Sequence, residues 1–377
     1  MLNLLKHFVN NKKEDNFFTY HCIGDPQWTP CRYDALAEEG YRKNVFAFRA
    51  VNLIAGGISS LPISVKNRDD GSEDEFLSDL MKRPNESQTR CSFLENIVSS
   101  LLISGNAFVH CDGENKLHCL RTDRVRIVPD KSRTSVKSYI YCVDSKEFPA
   151  EKRDILHLKF FNPLNDWYGF SPLQAAARAI DQHNEMSKHN ISILQNGGRP
   201  SGCLVVKNSE NLTEEQRKQL RSDIRQAYEG SANSGRIMLL EGGLEWKEMG
   251  LSPKDLDFNT GKNIAACEIA QAFGVPPMLL GIRGDSAFNG YREARLHFWE
   301  DTIIPLAEFI RLEFGNWLSV RFDRPAEMTF DLDSVHALMP KRESLWNRIS
   351  NADFLSVNEK RAALGYGPIE ETKGTGK

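Results

Sequence analysis

The stretch from Ser252 to Trp317 constrains the fold more than any other part of the chain. Apolar residues at helical spacing predict one helix over roughly residues 258–273 and a second, longer helix after it. Gly274 and the pair Pro276–Pro277 stop the first helix, because proline lacks an amide hydrogen and restricts the residue before it. A glycine-rich loop over residues 281–290 joins the two. The pattern predicts two helices that present a flexible polar loop, although a helical hairpin with an ordinary surface loop has the same pattern.

The second helix carries a proline inside its apolar stripe. Asn289 is the expected N-cap, and the stripe continues to Trp317 before the helix ends. Pro305 cannot donate a hydrogen bond to the carbonyl of Asp301, so the sequence predicts a kink at this point.

The composition is that of an ordinary globular protein. The 377 residues are 40% hydrophobic and 26% charged, with a formal net charge of −3. The chain therefore has no global basic excess with which to grip nucleic acid, although a protein that surrounds DNA without gripping it needs none. No apolar run reaches the ~18 residues of a membrane span, and Met1–Leu5 is too short for a secretory signal core. We expect a protein that is made and kept in a reducing compartment and has no membrane partner.

The eight cysteines include no Cys-x-x-Cys pair. The best metal candidates are His110–Cys111 and His118–Cys119, which flank a predicted turn at Asp112–Gly113. Adjacent strand residues point to opposite faces, so these four side chains cannot converge on one ion. A two-ligand half-site completed elsewhere is the alternative to ordinary strand cysteines. We expect no metal and no cofactor.

The first half of the chain reads as helices followed by strands. Residues 1–40 lack periodicity and predict a mobile or loosely docked arm. Ser92 and Glu95 form a capping-box pattern at the start of one helix, which Gly105 ends. The other predicted elements are helices at 42–57 and 76–81, and strands at 61–65, 107–111, 117–120, 125–128, 139–143 and 155–161. Together they predict an α+β fold with an antiparallel meander.

A long helix is predicted to follow. Ser171 and Gln174 form a capping box at its start, and Gly197–Gly198 is the expected end. Asn184 and Ser187 interrupt its apolar stripe. This suits a helix packed among copies of the same chain, although a solvated middle section is equally allowed.

Residues 199–251 predict a compact insert between two helices. It contains a strand at 202–206, a helix capped by Thr213, and a hairpin of 237–240 with 244–247. A unit this small gains stability from oligomerisation. Beyond the kinked helix, a strand at 328–332 and one or two short helices within 341–366 are expected.

Six short segments, spread over roughly residues 45–320, carry a family resemblance. They are Arg83-Pro84-Asn85, Gly105-Asn106-Ala107-Phe108, His157-Leu158-Lys159, Trp167-Tyr168-Gly169-Phe170-Ser171-Pro172-Leu173, Gly250-Leu251-Ser252-Pro253-Lys254-Asp255-Leu256-Asp257-Phe258 and Phe273-Gly274-Val275-Pro276-Pro277-Met278-Leu279-Leu280-Gly281. In this order, and with a helix–insert–helix layout, the chain resembles the phage portal proteins of the HK97-like type.

The resemblance implies a portal fold, α+β in class, with a wing, two long stem helices, a small α/β clip insert and a short helical crown. By position, the parts are an N-terminal arm (1–40), a wing in two pieces (41–169 and 275–335), stem helices (170–198 and 252–274), a clip (199–251), a tunnel loop (281–290) and a crown (336–377).

The resemblance also implies a function without catalysis. Portal proteins form a homo-oligomeric ring, usually dodecameric, at a capsid vertex, and double-stranded DNA is packaged and ejected through it. The implied partners are the terminase large subunit, the head–tail adaptor and the major capsid or scaffold protein. The implied location is the virion, after assembly in the host cytoplasm.

The tunnel loop supplies the candidate DNA-channel residues, which are Arg283, Asp285, Asn289 and Arg292. A ring repeats each side chain around an axis, so Arg283 becomes a circle of positive charge and Asp285 a circle of negative charge. Phosphate contacts are strong and salt-dependent, so a sliding conduit should balance charge near DNA. A solvated loop with mixed charges is the alternative.

A second function, from a different class, is a serine hydrolase. Gly284-Asp285-Ser286 and Asp333-Ser334-Val335-His336 resemble sequence blocks of GDSL-type esterases, with Ser286 as nucleophile and His336 as base. However, Ser286 follows no predicted strand, and nearly all of the segment between the blocks is one helix. The chain also lacks a Walker-type phosphate loop, so the packaging ATPase must be a separate protein. The portal interpretation is favoured.

Overall fold

The computed structural model describes residues 28–30, 32–195, 202–206, 213–228, 244–248, 258–282, 288–364, 367 and 369. Within them, helices pack against small antiparallel sheets, which confirms the α+β class. The helices are α1 (Tyr33–Ala35), α2 (Val45–Ser59), α3 (Glu75–Lys82), α4 (Arg90–Ser104), α5 (Pro172–Ala175), α6 (Ala177–Gln195), α7 (Glu214–Tyr228), α8 (Phe258–Ala272), α9 (Phe288–His297), α10 (Ile304–Phe322), α11 (Met339–Ser350) and α12 (Val357–Ala363). None of these helices is long and apolar enough to cross a membrane.

The strands form four antiparallel sheets. They are β1 (Ile63–Asn67), β2 (Asn106–Cys111), β3 (Leu117–Leu120), β4 (Val125–Pro129), β5 (Val136–Val143), β6 (Lys146–Glu151), β7 (Ile155–Lys159), β8 (Gly202–Val206), β9 (Leu244–Glu248) and β10 (Ala326–Phe330). The strand orders are β3-β2-β7, β4-β5-β6, β1-β10 and β8-β9. The predicted single meander is therefore wrong, because β7 returns to pair with β2 and because β6 was not predicted. A mostly exposed strand such as β6 carries little apolar signal.

The main core forms where α2 and α4 pack together and α10 covers them. Ile54 and Ile58 of α2, Phe93 of α4 and Phe314 of α10 are fully buried, and the Phe93 and Phe314 rings meet edge to face at 6.5 Å. A second, smaller cluster lies between β2, β7 and the β4-β5-β6 sheet.

The expectation of a loose arm over residues 1–40 is wrong for its last part. Residues 33–42 are helical, with π-type hydrogen bonding over Leu36–Arg42. Leu36 is buried, and Gly40 lies against Leu173. The Thr29 amide donates a hydrogen bond of 2.8 Å to Asp181. The stretch is mostly polar, so these few docking contacts leave no periodic signal; residues 1–27 and 31 lie outside the described residues.

The polar middle of α6 is satisfied within one chain, contrary to the idea that neighbouring copies complete it. Asn184 is buried and accepts a 3.1 Å hydrogen bond from the Asn44 amide, while its own amide donates to the Glu39 carbonyl at 2.9 Å. The side-chain amide nitrogen of Asn44 also lies 3.2 Å from His183 Nδ1. The side-chain oxygen of Asn44 caps α2 by accepting hydrogen bonds from backbone amides in its first turn. The orientation of the Asn44 side chain is therefore fixed, and both its oxygen and its amide nitrogen have partners.

The predicted capping pattern is present at one helix and displaced at another. Ser171 and Gln174 form the predicted capping box, although Ala176 separates α5 from α6 and the predicted end at Gly197–Gly198 lies outside the described residues. At α4 the box is formed by Thr89 and Ser92 instead of Ser92 and Glu95. Gly105 ends α4 as predicted, in the left-handed conformation with φ of 75°.

Two glycines meet where the loop after β7 crosses the end of α4. A Cβ added to Gly169 would lie 2.1 Å from the Gly105 carbonyl oxygen and 2.8 Å from the Phe160 amide nitrogen. The Gly169 amide donates to the Asn106 side chain at 2.8 Å. Any side chain at Gly169 would separate these backbones.

The long helix predicted to span Pro305 is interrupted as expected. A π-helical segment, Phe298–Ile303, joins α9 to α10, and Pro305 lies in the first turn of α10. The proline cannot bond the Asp301 carbonyl, and the wider π-helical turn lies directly before it. The prediction of Asn289 as an N-cap is wrong, because α9 begins one residue earlier, at Phe288.

The insert and the C-terminal part follow the predicted outline. Thr213 and Gln216 form the capping box of α7. However, β9 pairs with β8, and the predicted partner at 237–240 lies outside the described residues. At the C-terminal end, α11 buries Ile349, and α12 has no buried residue.

Candidate nucleic-acid interface

Both ends of the glycine-rich loop are anchored. Before the loop, Gly274 turns with φ of 66°, and a 3₁₀ turn, Pro277–Leu280, is closed by Gly281 with φ of 79°. The Ile282 amide donates to the Pro277 carbonyl at 3.2 Å, and Ile282 is buried. After the loop, α9 packs against the same 3₁₀ turn. The chain therefore leaves and re-enters the core at neighbouring points.

The π-helical segment ties these ends together. The Thr302 hydroxyl donates to the Gly274 carbonyl at 2.5 Å, while the segment itself continues from α9. One wide turn thus supports both anchors of the loop.

The predicted site residues are only partly described. Arg283 and Asp285 lie outside the described residues, as does Ser286 of the hydrolase hypothesis. Asn289 lies in the first turn of α9. Arg292 is exposed on α9 and lines an open cleft of about 410 Å³. No direct contact among the four predicted residues is described.

Arg295, which was not predicted, shares this cleft with Arg292. The two arginines are three residues apart and therefore lie on one side of the helix. Neither forms an ion pair with a described residue, and Glu293 is the only acid among the cleft residues that the structure describes. Two exposed guanidinium groups beside the loop form a small basic face that can contact phosphate oxygens. The spacing could have identified Arg295 from the sequence.

Among the described residues, His336 has no acid partner of the kind that a serine hydrolase requires. It begins a 3₁₀ turn, His336–Leu338, and its Nδ1 lies 2.9 Å from the Met339 sulfur. Asp333, which precedes it, is paired with Arg342 at 2.8 Å. All strand pairs described are antiparallel, unlike the parallel sheet on which α/β hydrolases place a nucleophile.

The paired histidines of β2 and β3 do not build a metal site among the described residues. His110 and His118 are direct cross-strand neighbours, and His118 Nε2 lies 3.0 Å from an Asp112 carboxylate oxygen. Burial lowers the pKa of His110. Nowhere in the described ranges do three or more histidine, cysteine or acidic side chains form a group that could hold a metal ion.

Fold and sequence together place the chain in a class of viral structural proteins. The sequence model for "Phage portal protein" matches residues 46–365, so the chain belongs to the phage portal protein family. It is 42% identical to an uncharacterized protein of Rickettsia felis, over 97% of this chain and 98% of the relative. It is 26% identical to the portal protein of Enterobacteria phage HK97, over 85% and 78% of the respective chains.

Solved structures agree with this assignment. The chain in the neck of an empty gene transfer agent particle, computed with C6 symmetry, is 39% identical, with a TM-score of 0.71 over 92% of this chain and 96% of that one. The corresponding chain in the neck of a native particle, computed with C12 symmetry, is 38% identical, with a TM-score of 0.69 over the same shares. Both structures thus agree with membership of the phage portal protein family.

Proposed function

We propose that copies of this chain form a ring around a channel at a capsid vertex, through which double-stranded DNA enters during packaging and leaves during ejection. The supporting observation is the similarity, over 92% of the chain, to necks of gene transfer agent particles that were computed with C6 and C12 symmetry. Twelve subunits, assembly in the host cytoplasm and residence in the virion neck are part of this proposal.

Exposed apolar side chains on the proposed stem are consistent with contacts between copies. Ile191 and Leu194 near the end of α6 are 52% and 69% exposed, and Ile264 of α8 is 53% exposed. Large apolar groups repeated along two packed helices are costly in water unless another surface covers them.

We expect the purified protein to assemble into closed rings. Native mass spectrometry should give a mass of about twelve subunits, and electron microscopy should show a central hole. A Leu194→Glu variant should shift the distribution toward smaller species, because a carboxylate cannot be buried unpaired at the contact. A strictly monomeric protein across micromolar concentrations would contradict the ring.

We further propose that the loop over residues 281–290 narrows the channel, with Arg283, Asp285, Asn289 and Arg292 facing DNA. The exposed basic face of Arg292 and Arg295 beside the loop supports this. In a ring, each subunit contributes the same arginine, so the arginines form a circle of positive charge that DNA phosphates can contact.

Deletion of Ser286 to Phe288 should leave ring assembly nearly intact and impair DNA packaging or retention. Arg292→Ala should also weaken DNA retention and make that retention less dependent on salt concentration, because one phosphate contact per subunit is lost. Lys137→Ala, which removes an exposed cation from β5, is the control and should have no effect. We propose no catalytic role, so Ser286→Ala should leave packaging unchanged. If the deletion variant packages and retains full-length DNA as the parent does, the assignment of the loop to the channel is wrong.

The insert 199–251 is proposed as the clip, which docks the terminase large subunit and the head–tail adaptor, while the wing contacts the major capsid or scaffold protein. The helices α6 and α8, which flank the insert, pack closely, since a Cβ added to Gly261 would lie only 2.7 Å from the Met186 methyl group. The ends of the insert therefore leave neighbouring helices.

Replacing residues 199–251 with a short glycine–serine linker should keep the rest of the chain folded, because α6 and α8 remain paired. Binding of the terminase large subunit and of the adaptor, measured by pull-down, should be lost. Retained binding of both partners would show that the insert is not the docking site.

A further inference from the structure

The outer edge of β7 is an unpaired strand edge that lies inside a cleft. The Phe160 amide bonds the Gly105 carbonyl, and β7 pairs with β2 in antiparallel register. In such a pair, alternate residues bond the partner. The backbone amides and carbonyls of Leu156 and Leu158 therefore point toward β2. The amides and carbonyls of Ile155, His157 and Lys159 point away from it. None of these outward groups has a hydrogen-bond partner among the described residues.

Both edges of the neighbouring β4-β5-β6 sheet are protected. The Tyr168 hydroxyl accepts a hydrogen bond of 3.2 Å from the Ile127 amide and so covers the edge of β4. Pro149 interrupts β6, which also begins with a lysine. Proline and lysine are common means of preventing an edge strand from pairing. The β7 edge carries no proline, and its one lysine, Lys159, is the last residue of the strand, so the edge at Ile155 and His157 remains open to an added strand.

The cleft along β7 has room and chemistry for a peptide. It measures about 850 Å³ and is bounded by β5 on one side and by α10 on the other. Tyr139 and Trp317 are buried in its walls, while Val320 at the rim is 72% exposed. The Trp317 indole is held by a 3.0 Å hydrogen bond to the Arg153 carbonyl. These apolar walls can receive alternate side chains of an extended segment.

The rim of the cleft is predominantly cationic. Arg133, Lys152, Arg153 and Lys159 line it, against the acids Asp166 and Glu313. Arg153 is already paired with Glu151 at 3.5 Å and with Asp154 at 3.8 Å, whereas Arg133 and Lys152 form no ion pair with a described residue. The Lys159 ammonium donates to the Asp166 backbone carbonyl and likewise forms no ion pair with a described residue. The charge therefore complements an acidic ligand.

We propose that this cleft binds an extended, acidic segment of another protein, which adds as a strand to the free edge of β7. The strand edge favours a peptide over a nucleic acid, because the six outward backbone groups match the spacing of a β-strand and no nucleic-acid backbone.

The first test uses the unmodified full-length protein and a fluorescein-labelled nine-residue peptide in which valine or threonine alternates with glutamate. Fluorescence polarisation should show binding, at least about tenfold tighter than binding of the same peptide with lysine for glutamate. N-methylation of the alternate amides that would face β7 should abolish binding, whereas methylation of the other alternate amides should not. No binding, equal binding of the lysine peptide, or indifference to methylation would overturn the proposal.

Variants of the protein provide an independent test. Lys159→Pro removes an outward amide but no bond to β2, so it should weaken binding about tenfold, whereas Lys159→Ala should weaken it by about threefold at most. The pair Arg133→Glu and Lys152→Glu should reverse the preference toward the lysine peptide. Tighter binding of a single-stranded oligonucleotide in competition would identify a nucleic-acid site instead. Binding by monomers but not by assembled rings would identify a second copy of the chain as the occupant, and either result would overturn the assignment.

Discussion

Gly169→Ala should destabilise the protein by about 4 kcal/mol or more, which is the range of the most severe single substitutions. The new methyl group would lie 2.1 Å from the Gly105 carbonyl oxygen, and the neighbouring atoms belong to backbone that cannot rotate away. Relief requires the loop after β7 to move off the end of α4, and that movement would break the Gly169–Asn106 hydrogen bond. Urea unfolding of the purified variant, compared with the parent, measures the effect.

Gly56→Ala is the matched control for this substitution. Gly56 lies in α2, and an added Cβ meets nothing within 4 Å. Alanine is favoured over glycine in a helix by about 1 kcal/mol, so this variant should be more stable than the parent. If Gly169→Ala unfolds at the parent's urea midpoint, the close contact of the two glycines does not hold the loop after β7 in place.

The second large effect is an acid-induced loss of stability through His157. Burial, together with the neighbouring Lys159, lowers the pKa of His157 to about 3. The ring stacks on Phe108 at 4.2 Å, and its Nε2 donates to the Asn106 side-chain oxygen at 3.1 Å. That oxygen also accepts from the Gly169 amide, so it acts as the acceptor. The folded protein therefore holds a neutral imidazole.

The sign of the pH effect follows from the lowered pKa. The unfolded chain takes up a proton at His157 near pH 6.5, whereas the folded chain resists it until about pH 3. The contribution to stability is complete above pH 6.5 and is lost progressively as the pH falls toward 3. Between pH 7 and pH 5 the loss should be about 2 kcal/mol.

Comparison with His157→Phe isolates this contribution. Phenylalanine keeps an aromatic ring beside Phe108 but cannot take up a proton, so the variant should lose about 2 kcal/mol less than the parent between pH 7 and pH 5. At pH 7 it should be less stable by about 1 kcal/mol, because the Asn106 hydrogen bond is missing. Burial also lowers the pKa of His183 and His110. The parent and the His157→Phe variant share these two effects, so they cancel in the comparison. Equal acid sensitivity would show that His157 titrates normally in the folded state.

Local chemistry in the sequence predicted the starts and ends of several elements. Ser171 with Gln174 and the left-handed Gly105 act within a few residues of themselves, so their patterns survive without knowledge of the fold. The effect of Pro305 was likewise predictable, because a missing amide must disturb a helix wherever it stands.

Contacts between distant parts of the chain were not predictable in the same way. The hydrogen bond between Asn44 and Asn184 spans 140 residues, and each asparagine alone resembles a solvated polar residue. The pairing of β7 with β2 had a weak signal, because only Leu156 and Leu158 form an apolar face, while Ile155 shares the other face with His157 and Lys159. That pattern suits a strand with one apolar face, but it does not name the partner.

The candidate site shows the same division. Proximity to the glycine-rich loop was sufficient to select Arg292, which is exposed beside a cleft. Arg295 was overlooked although it lies three residues further on the same helix. Arg283 and Asp285 remain predictions, as does the role of Asn289.

The wide π-helical turn before Pro305 has a mechanical consequence. Its Thr302 holds the Gly274 turn on one side of the loop, and α9 emerges from it on the other. Both described ends that flank residues 283–287 are therefore attached to the same turn, so a force applied at either end would be transmitted to that turn first.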